Sequence, residues 1–304
     1  MPIIVFGSLN MDLVAQVPHL PQAGETLLGT DFAMVPGGKG ANQAVAAARL
    51  GVPTTMVGRV GEDSFATQLC ASLQTAGVAT DLILKDQGPS GVALIAVDGS
   101  GENQITVIPG ANGRVDMTDV QRLPLGADPS ILLMQFEIPL SAVIAAARRA
   151  GHHRVIVDPA PARADLPKDF YGLVDILTPN QTEASQLTGV DVNDVATATA
   201  AAQVLCARGT PTVIVKLGRQ GAVAVSGAEV FHIPAFQVEA VDSVAAGDAF
   251  NGGLAVALGE GKPLQSSVIW ASAVAALSVM SAGAQPSLPT RQQVDAFLRR
   301  QSLR

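Results

Sequence analysis

The segment from Asp242 to Asp248, Asp-Ser-Val-Ala-Ala-Gly-Asp, combines a carboxylate with a turn of small residues and runs directly into Ala-Phe-Asn-Gly-Gly-Leu254. The start of a helix of this kind presents unpaired backbone N–H groups and the positive end of the helix dipole, which bind phosphate without a lysine. Asp248 stands beside them as a proton acceptor, so the pairing indicates phosphoryl transfer to a hydroxyl group. The same residues are equally explained, in isolation, as an ordinary helix cap in which Asp248 complements the dipole.

Polar residues that could bind a polyhydroxyl ligand occur near the amino terminus. Asn10 and Asp12 follow the apolar run Ile3–Phe6 and lie two residues apart. Ligands of open α/β sheets bind at the carboxyl ends of strands, so both side chains can face a polyhydroxyl ligand, although an Asx turn explains them as well. The cluster Gly37-Gly-Lys-Gly-Ala-Asn-Gln43 then feeds an Ala-rich segment. Its glycines permit close backbone approach, and Asn42 offers a donor and an acceptor; no Walker A motif occurs in the chain.

Three further sites follow predicted strands. Glu137 comes directly after the run at 131–136, and Asn180 and Glu183 lie three residues apart at a strand-to-helix junction. That spacing suits a capping box, and it also suits two groups that organise Mg²⁺. The segment 216–221, Lys-Leu-Gly-Arg-Gln-Gly, closes another strand. Its backbone could receive a nucleotide, or it could be an ordinary turn between strands.

The elements that position these residues alternate between short apolar, β-branched runs and Ala-rich helical segments. Repeated strand–helix alternation with short links predicts a doubly wound, mostly parallel α/β sheet, with a C-terminal third that is nearly all helix after Asp248. The predicted strands are Ile3–Phe6, Thr54–Val60, Ile131–Gln135, Val155–Val157, Ile176–Leu177, Val213–Lys216 and Ala222–Val225. The predicted helices are Ala41–Leu50, Phe65–Ala76, Leu140–Ala150 and Val195–Arg208.

Two segments depart from this alternation. Glu25–Val35 and Gly91–Ile108 read as β structure without intervening helices, and the second contains Val-Asp-Gly-Ser-Gly-Glu, a strong hairpin signal. We therefore expect a small separate β-sheet that acts as a lid over the substrate. The predicted organisation is a single α/β domain over residues 1–304, with lid segments at about 9–37 and 90–112.

Composition narrows the possible partners. The chain has 304 residues, of which 48% are hydrophobic and 15% charged, and its formal net charge is −7. Acidic and basic residues are interspersed, so no basic stripe predicts nucleic-acid binding. No apolar run reaches membrane-spanning length and the first residues do not resemble a signal peptide, so no membrane association and a cytoplasmic location are expected.

Taken in order, these motifs resemble the ribokinase-like family of carbohydrate and nucleoside kinases over essentially the whole chain. The resemblance rests on the segments 37–48 and 242–252, supported by Gly7-Ser-Leu-Asn-Met-Asp, Pro159-Ala-Pro-Ala, Thr178-Pro-Asn-Gln-Thr-Glu and Gly283-Ala-Gln-Pro-Ser. It implies a three-layer sandwich with a β lid that uses ATP to phosphorylate the 5-hydroxyl of D-ribose. Many family members carry Thr-Thr-Gly where this chain has Ser243, Val244 and Ala245, but the implied roles there use main-chain atoms.

The resemblance also implies a role for each matched residue. Asp248 would be the general base, and the amides of Ala245, Ala246 and Gly247 would form an anion hole for the transferred phosphoryl group. The sugar would be held by Asn10, Asp12, Gly38, Lys39, Asn42, Glu137 and Asp248. ATP would contact Asn180, Lys216, Leu217, Gly218, Arg219, Gln220, Gly221, Gly247 and Ser272.

Two metal ions complete the implied site. Glu183 would act on Mg²⁺ through water, and a monovalent cation, K⁺, would activate the enzyme. Its implied ligands are Asp242, Val244, Ser278, Ser281, Gly283 and Ser287, whose carboxylate and carbonyl oxygens suit K⁺.

Other interpretations stay open from the sequence. The acceptor could be another pentose, a hexose or a nucleoside, and a non-catalytic sugar or nucleotide sensor would share the fold. The edges of the lid strands need covering, so a homodimer through the lid is expected.

Overall fold

A computed structural model describes residues 1–301 and contains two separate sheets. The strands are β1 Ile3–Phe6, β2 Asn10–Gln16, β3 Asp31–Gly37, β4 Thr54–Val60, β5 Ala79–Lys85, β6 Gly91–Val97, β7 Asn103–Ile108, β8 Ile131–Gln135, β9 Arg154–Asp158, β10 Ile176–Leu177, β11 Thr212–Lys216, β12 Ala222–Ser226 and β13 Glu229–Ile233. In the described part of the chain the larger sheet has nine strands in the order β13-β12-β11-β10-β9-β8-β1-β4-β5. It is parallel from β11 to β5, and β12 and β13 are antiparallel additions at one edge.

Helices cover both faces of this sheet. They are α1 Lys39–Arg49, α2 Ser64–Thr75, α3 Met117–Arg122, α4 Leu140–Arg149, α5 Gln181–Thr188, α6 Val195–Ala207, α7 Ala246–Gly259, α8 Leu264–Ser278 and α9 Arg291–Gln301. One hydrophobic core lies between the sheet and α1, α2, α7, α8 and α9, and a second lies between the sheet and α3 to α6. The predicted doubly wound, three-layer α/β architecture is thereby confirmed.

Strand β1 shows how the sequence builds two cores. Ile3 and Val5 point into one core, whereas Ile4 and Phe6 point into the other, because successive side chains of a strand alternate between faces. All four are buried, as expected for a central parallel strand covered by helices on both sides.

Helix α7, which carries Asp248 in its first turn, is fixed by two adjacent glycines. A Cβ at Gly252 would lie 2.5 Å from the Cβ of Ala46 on α1, and one at Gly253 would lie 2.9 Å from a methyl group of Val274 on α8. Only glycine allows both neighbouring helices to approach this closely. The close packing sets where the amino-terminal end of α7 lies relative to α1.

Two edge strands of the large sheet, β5 and β13, were not predicted. Both mix exposed and half-buried residues, so their apolar pattern is weaker than that of the central strands. The expected C-terminal helices are present as α7, α8 and α9.

The second sheet is the predicted lid, formed by β2, β3, β6 and β7 in the order β3-β2-β6-β7. Strands β6 and β7 form the expected hairpin. The predicted strand over Glu25–Val35 is wrong for residues 25–30; β3 begins at Asp31, and Leu28 is 88% exposed. Asn10 and Asp12 belong to strand β2 rather than to an Asx turn, so they point to the same face of the lid. Within residues 1–301, none of the helices is long and apolar enough to cross a membrane.

Candidate active site

The turn at the amino-terminal end of α7, residues 243–247, is the segment expected to bind an anion and is called the anion-binding turn below. Ala245 has φ of 59°, and among residues 1–301 it is the one non-glycine residue with positive φ. This left-handed residue turns the chain so that the first-turn amides of α7 point outward, where a helix has no acceptors of its own. The amide of Ala246 donates to the carbonyl of Ser243 at 3.3 Å. The turn therefore offers amides, including that of Gly247, on the side where Asp248 lies.

Asp248 is held by two amide side chains of α1. Asn42 donates through Nδ2 to Oδ2 of Asp248 at 2.9 Å, and Gln43 donates through Nε2 to Oδ1 at 3.0 Å. Burial raises the pKa of Asp248 to about 6, with nearby Asp158 raising it further and Lys39 opposing the shift. A carboxylate of this basicity can accept a proton near neutral pH. Oδ1 of Asn42 is buried without a hydrogen-bond partner, so it remains available to a ligand.

A second carboxylate, Asp158 at the end of β9, shares Gln43 with Asp248. Nε2 of Gln43 also donates to Oδ2 of Asp158 at 3.1 Å, and Oε1 of Gln43 accepts from Gln135 at 2.6 Å. The ammonium of Lys216 donates to Oδ1 of Asp158 at 2.8 Å. These buried groups form one continuous network that connects Asp248 with Lys216.

Glu137 is the centre of a second polar cluster, at the junction of the lid and the main sheet. Its Oε2 accepts from Ser8 Oγ at 2.5 Å, from the backbone N–H of Lys39 at 3.1 Å and from Asn10 Nδ2 at 3.5 Å. Asn112 donates to Oδ1 of Asn10 at 2.7 Å. The structure thus brings together Asn10, Glu137 and the glycine-rich turn at Gly38, three of the positions that the resemblance assigns to the sugar.

Asp12 lies beside this cluster on β2. A Cβ added at Gly37 would collide with its carboxylate, so glycine is required there for the lid strand to approach. Burial raises the pKa of Asp12 to about 7, and the charges of Glu137 and Asp248 add to the shift. Burial of Lys39 disfavours its charged form and lowers its pKa. The negative charges of Asp248 and Glu137 outweigh this effect and raise the pKa of the ammonium above its usual value. Carboxylates and one cation therefore surround a common space.

The residues expected to contact the nucleotide lie mainly at the ends of β10 and β11. Asn180 and Glu183 make the capping box: Asn180 Oδ1 accepts from the N–H of Glu183 at 2.8 Å, and both Glu183 oxygens accept from Asn180. Burial raises the pKa of Glu183, and Asp158 contributes to the shift. Asn180 is bridged to Lys216 of β11, which leads into a short 3-10 turn, Gly218–Gln220. Arg219 and Gln220 are exposed there, Leu217 is buried, and Ser272 is half-buried on α8.

The segment expected to bind a monovalent cation joins two loops. Asp242 Oδ1 accepts from the N–H of Val244 at 2.9 Å, and its Oδ2 accepts from the N–H of Gly283 at 2.8 Å. The N–H groups of residues 241 and 242 both donate to the carbonyl of Val279. Ser278 and Ser287 direct their hydroxyls to carbonyls of their own segments, at Ala275 and Ala284. Asp242 thus ties the anion-binding turn to the loop that carries Ser281 and Gly283.

Comparison with known proteins identifies the class. Residues 2–291 match the pfkB family of carbohydrate kinases, and the chain belongs to this family. Among its relatives, the ribokinase of Haemophilus influenzae is 42% identical with 97% of each chain covered, and that of Bacillus subtilis is 40% identical, covering 97% of this chain and 99% of the relative. A solved structure of Arabidopsis thaliana ribokinase complexed with ribose and ATP is 33% identical, covers 98% of both chains and has a TM-score of 0.88. The ribokinase-like resemblance is confirmed, and the chain is a phosphotransferase.

Several residues of the buried network and of the cluster around Glu137 were not identified from the sequence. Asp158 is the last residue of β9, and Glu137 comes shortly after the end of β8. Because ligands bind at the carboxyl ends of parallel strands, Asp158 could have been identified by the same argument as Glu137. Ser8 lies in the loop after β1 and could have been found in the same way. Gln43 and Asn112 carry no comparable signal, because an amide within an Ala-rich helix or a loop is explained equally well by structure alone.

Proposed function

We propose that the chain transfers the γ-phosphoryl group of ATP to the 5-hydroxyl of D-ribose, with Asp248 as the general base. The observation that carries the proposal is the placement of a buried carboxylate, pKa about 6, in the first turn of α7 beside outward-facing amides. Ribose as acceptor is supported by the names of the relatives and by the ribose and ATP complex of the Arabidopsis protein. A cytoplasmic location belongs to the proposal, because the reaction consumes ATP.

The proposed step is an in-line displacement at the γ-phosphorus. The oxygen of the 5-hydroxyl forms a bond to phosphorus while its proton passes to Asp248, and the bond from phosphorus to the β-phosphate oxygen breaks to release ADP. The amides of Ala245, Ala246 and Gly247 stabilise the charge that develops on the transferred group. Loss of one such donor costs about 3 kcal/mol of transition-state stabilisation.

The polar cluster around Glu137, which includes Asn10 and Asp12 and is called the sugar cluster here, would orient the acceptor. Asn10, Asp12 and Glu137 offer oxygens and amide protons to ring hydroxyls, and Asn42 has a free carbonyl oxygen beside the base. Gly38, with φ of 89°, keeps the backbone close, since a Cβ there would lie 2.6 Å from the N of Asn10. Lys39 would contribute positive charge on the same side.

Metal ions complete the proposal. Glu183 already accepts two hydrogen bonds from Asn180, so contact with Mg²⁺ through water fits better than direct ligation. Mg²⁺ would neutralise phosphate charge when bound. For K⁺, the carboxylate of Asp242 and the carbonyl groups of residues 244, 278, 281 and 283, with Ser287, supply the oxygen donors that a monovalent cation takes. Bound there, it would fix the geometry of the anion-binding turn.

A homodimer through the lid is also proposed. Phe32 and Met34 on β3 and Leu94 on β6 lie on one face of the lid, because Met34 pairs with Leu13, which pairs with Leu94. These three side chains are 59%, 51% and 47% exposed. Monomeric proteins rarely expose contiguous apolar surface of this kind, and such a surface is typical of a protein–protein interface. A second lid packed on this face would bury it. Analytical ultracentrifugation at assay concentrations should show a dimer that Met34→Asp converts to monomers; a monomeric unaltered protein would refute the proposal.

The function is tested by ADP release across a panel of acceptors in the presence of Mg²⁺ and K⁺. D-Ribose should support the highest kcat/KM, ahead of 2-deoxyribose, other pentoses, fructose and nucleosides. Asp248→Asn should reduce turnover at least 100-fold while ribose binding persists. Near wild-type turnover of this variant would exclude Asp248 as the base, and ribose binding without any ADP release by the unaltered protein would indicate a sensor.

A further inference from the structure

The resemblance assigns Lys216 to ATP without naming the atoms or the phosphate involved, and the structure shows where its side chain lies. Its ammonium group lies 2.8 Å from Oδ1 of Asp158, and the side chain is 14% exposed. The same nitrogen lies 3.5 Å from the position that a Cβ of Gly247 would occupy. Gly247 belongs to the anion-binding turn, so a positive charge lies beside the turn whose amides would receive the transferred phosphoryl group.

Asp158 gives the ammonium a fixed direction. Its other oxygen, Oδ2, accepts from Nε2 of Gln43 at 3.1 Å, and the same nitrogen donates to Asp248 at 3.0 Å. Gln43 is itself fixed by Gln135, and all of these partners are buried. Because Gln43 uses its amide nitrogen for both carboxylates and its oxygen for Gln135, it links Asp158 to Asp248 and limits the movement of the ammonium relative to the base.

The charge of Lys216 is only partly used by this contact. A lysine ammonium has three protons, and Asp158 takes one of them. The other charged groups around Asp248 are Asp12 on β2, Lys39 at the start of α1 and Asp158 on β9. Lys39 interacts electrostatically with Asp248 and also with Asp158, the partner of Lys216, so two positive charges lie close to the base.

We propose that Lys216 is a catalytic residue whose ammonium group contacts the transferred phosphoryl group together with the amides of Ala245 to Gly247, an inference that rests on the proposed kinase function. Asp158 and Gln43 are positioning residues that hold this ammonium. No bond to lysine forms, and its protons stay on the nitrogen. The ammonium donates hydrogen bonds to the phosphoryl oxygens while the bond to ADP breaks, so it stabilises charge without taking part in the proton transfer to Asp248.

The test compares Lys216→Met, Lys216→Arg and the control Lys262→Met, which alters a lysine in the turn between α7 and α8. Lys216→Met should lower kcat about 100-fold with the KM for ribose unchanged, and Lys216→Arg should recover part of the loss. Calorimetry supplies a readout besides activity. Lys216→Met should weaken binding of the non-hydrolysable analogue adenylyl-imidodiphosphate about tenfold more than binding of ADP, because only the triphosphate carries the group that the ammonium contacts.

Further variants separate this role from a structural one. If Lys216→Met does not fold, Lys216→Gln removes the charge with a polar side chain and is measured in the same way. Asp158→Asn should reproduce part of the loss in kcat and of the discrimination between the two nucleotides. Equal weakening of ADP and triphosphate binding, or a kcat within threefold of the unaltered protein, would overturn the inference. If the unaltered protein phosphorylates no sugar, the proposed function fails, while the nucleotide comparison still decides the role of Lys216.

Discussion

Asp248 should make the protein less stable at the pH where it works. Replacement of this residue by Asn keeps the shape of the side chain and removes its ability to ionise. Because burial raises the pKa of Asp248 from its ordinary value of 3.8 to about 6, the folded protein holds the proton more tightly than the unfolded chain does. The stability linked to this group is complete below about pH 3.8 and is lost as the pH rises through 6. Asp248→Asn should therefore be more stable than the unaltered protein at pH 8.

The expected change in the free energy of unfolding follows from the rise in the pKa of Asp248 from 3.8 to about 6. Each unit corresponds to about 1.4 kcal/mol, so the ionised carboxylate costs about 3 kcal/mol at pH 8. The new amide group of residue 248 must find an acceptor, and Oδ1 of Asn42 is unpartnered and reaches it if the Asn42 amide rotates by half a turn. We allow about 1 kcal/mol for imperfect geometry, which leaves a gain of about 2 kcal/mol. For a chain of this size the entropy of unfolding is about 0.6 kcal/mol per kelvin, so the unfolding midpoint should rise by about 3 °C.

The assay is thermal unfolding of both proteins at pH 8 and pH 4, with Asp81→Asn as the control for removal of an exposed carboxylate. The stabilisation by Asp248→Asn should shrink to less than about 1 kcal/mol at pH 4, where most folded molecules carry a protonated Asp248. If Asp248→Asn is less stable than the unaltered protein at pH 8, or if the difference does not depend on pH, burial does not destabilise the ionised carboxylate at this position.

Three other predictions concern the site. The value of kcat/KM for ribose should rise with pH through an acid limb near pH 6, because Asp248 must lose its proton to act as a base; a limb below pH 4.5 in steady-state rates would contradict this. Gly37→Ala pushes a Cβ against the carboxylate of Asp12 and should raise the KM for ribose at least about tenfold in the coupled assay, whereas Gly99→Ala, where the added Cβ meets no atom within 4 Å, should leave it unchanged. Asn112→Ala leaves buried polar groups at the start of β2 unpaired and should lower the unfolding free energy in urea by about 2 kcal/mol; a change below about 0.5 kcal/mol would be inconsistent with its hydrogen bonds.

The central part of the fold and the sugar cluster could be predicted from the sequence. Buried parallel strands such as β1 and β8 are continuous apolar runs, and the residues that follow them, such as Glu137, lie at one edge of the sheet by topology alone. Edge strands are weaker signals, since half of their side chains face solvent. Residues 25–30 have a β-like sequence pattern, but they do not form a strand. Leu28 in this segment is exposed, so no burial against a neighbouring strand favours β structure there.

The hydrogen-bond network could not be predicted from the sequence. Gln43 lies among alanines of α1, and its double donation to Asp158 and Asp248 exists because α1, β9 and α7 converge. The same holds for Lys216, whose partner is 58 residues away in the chain. Contacts of this kind depend on the packing of three elements, which local patterns do not specify.

The central claim is that the chain makes a phosphate ester of D-ribose at the 5-hydroxyl, and ³¹P NMR of the complete reaction tests it most directly. With ATP, Mg²⁺, K⁺ and D-ribose, the γ-phosphate signal should disappear and one new phosphomonoester signal, that of ribose 5-phosphate, should appear together with ADP. ATP that persists with D-ribose but is consumed with another acceptor would contradict this reaction, as would a phosphate ester at another hydroxyl.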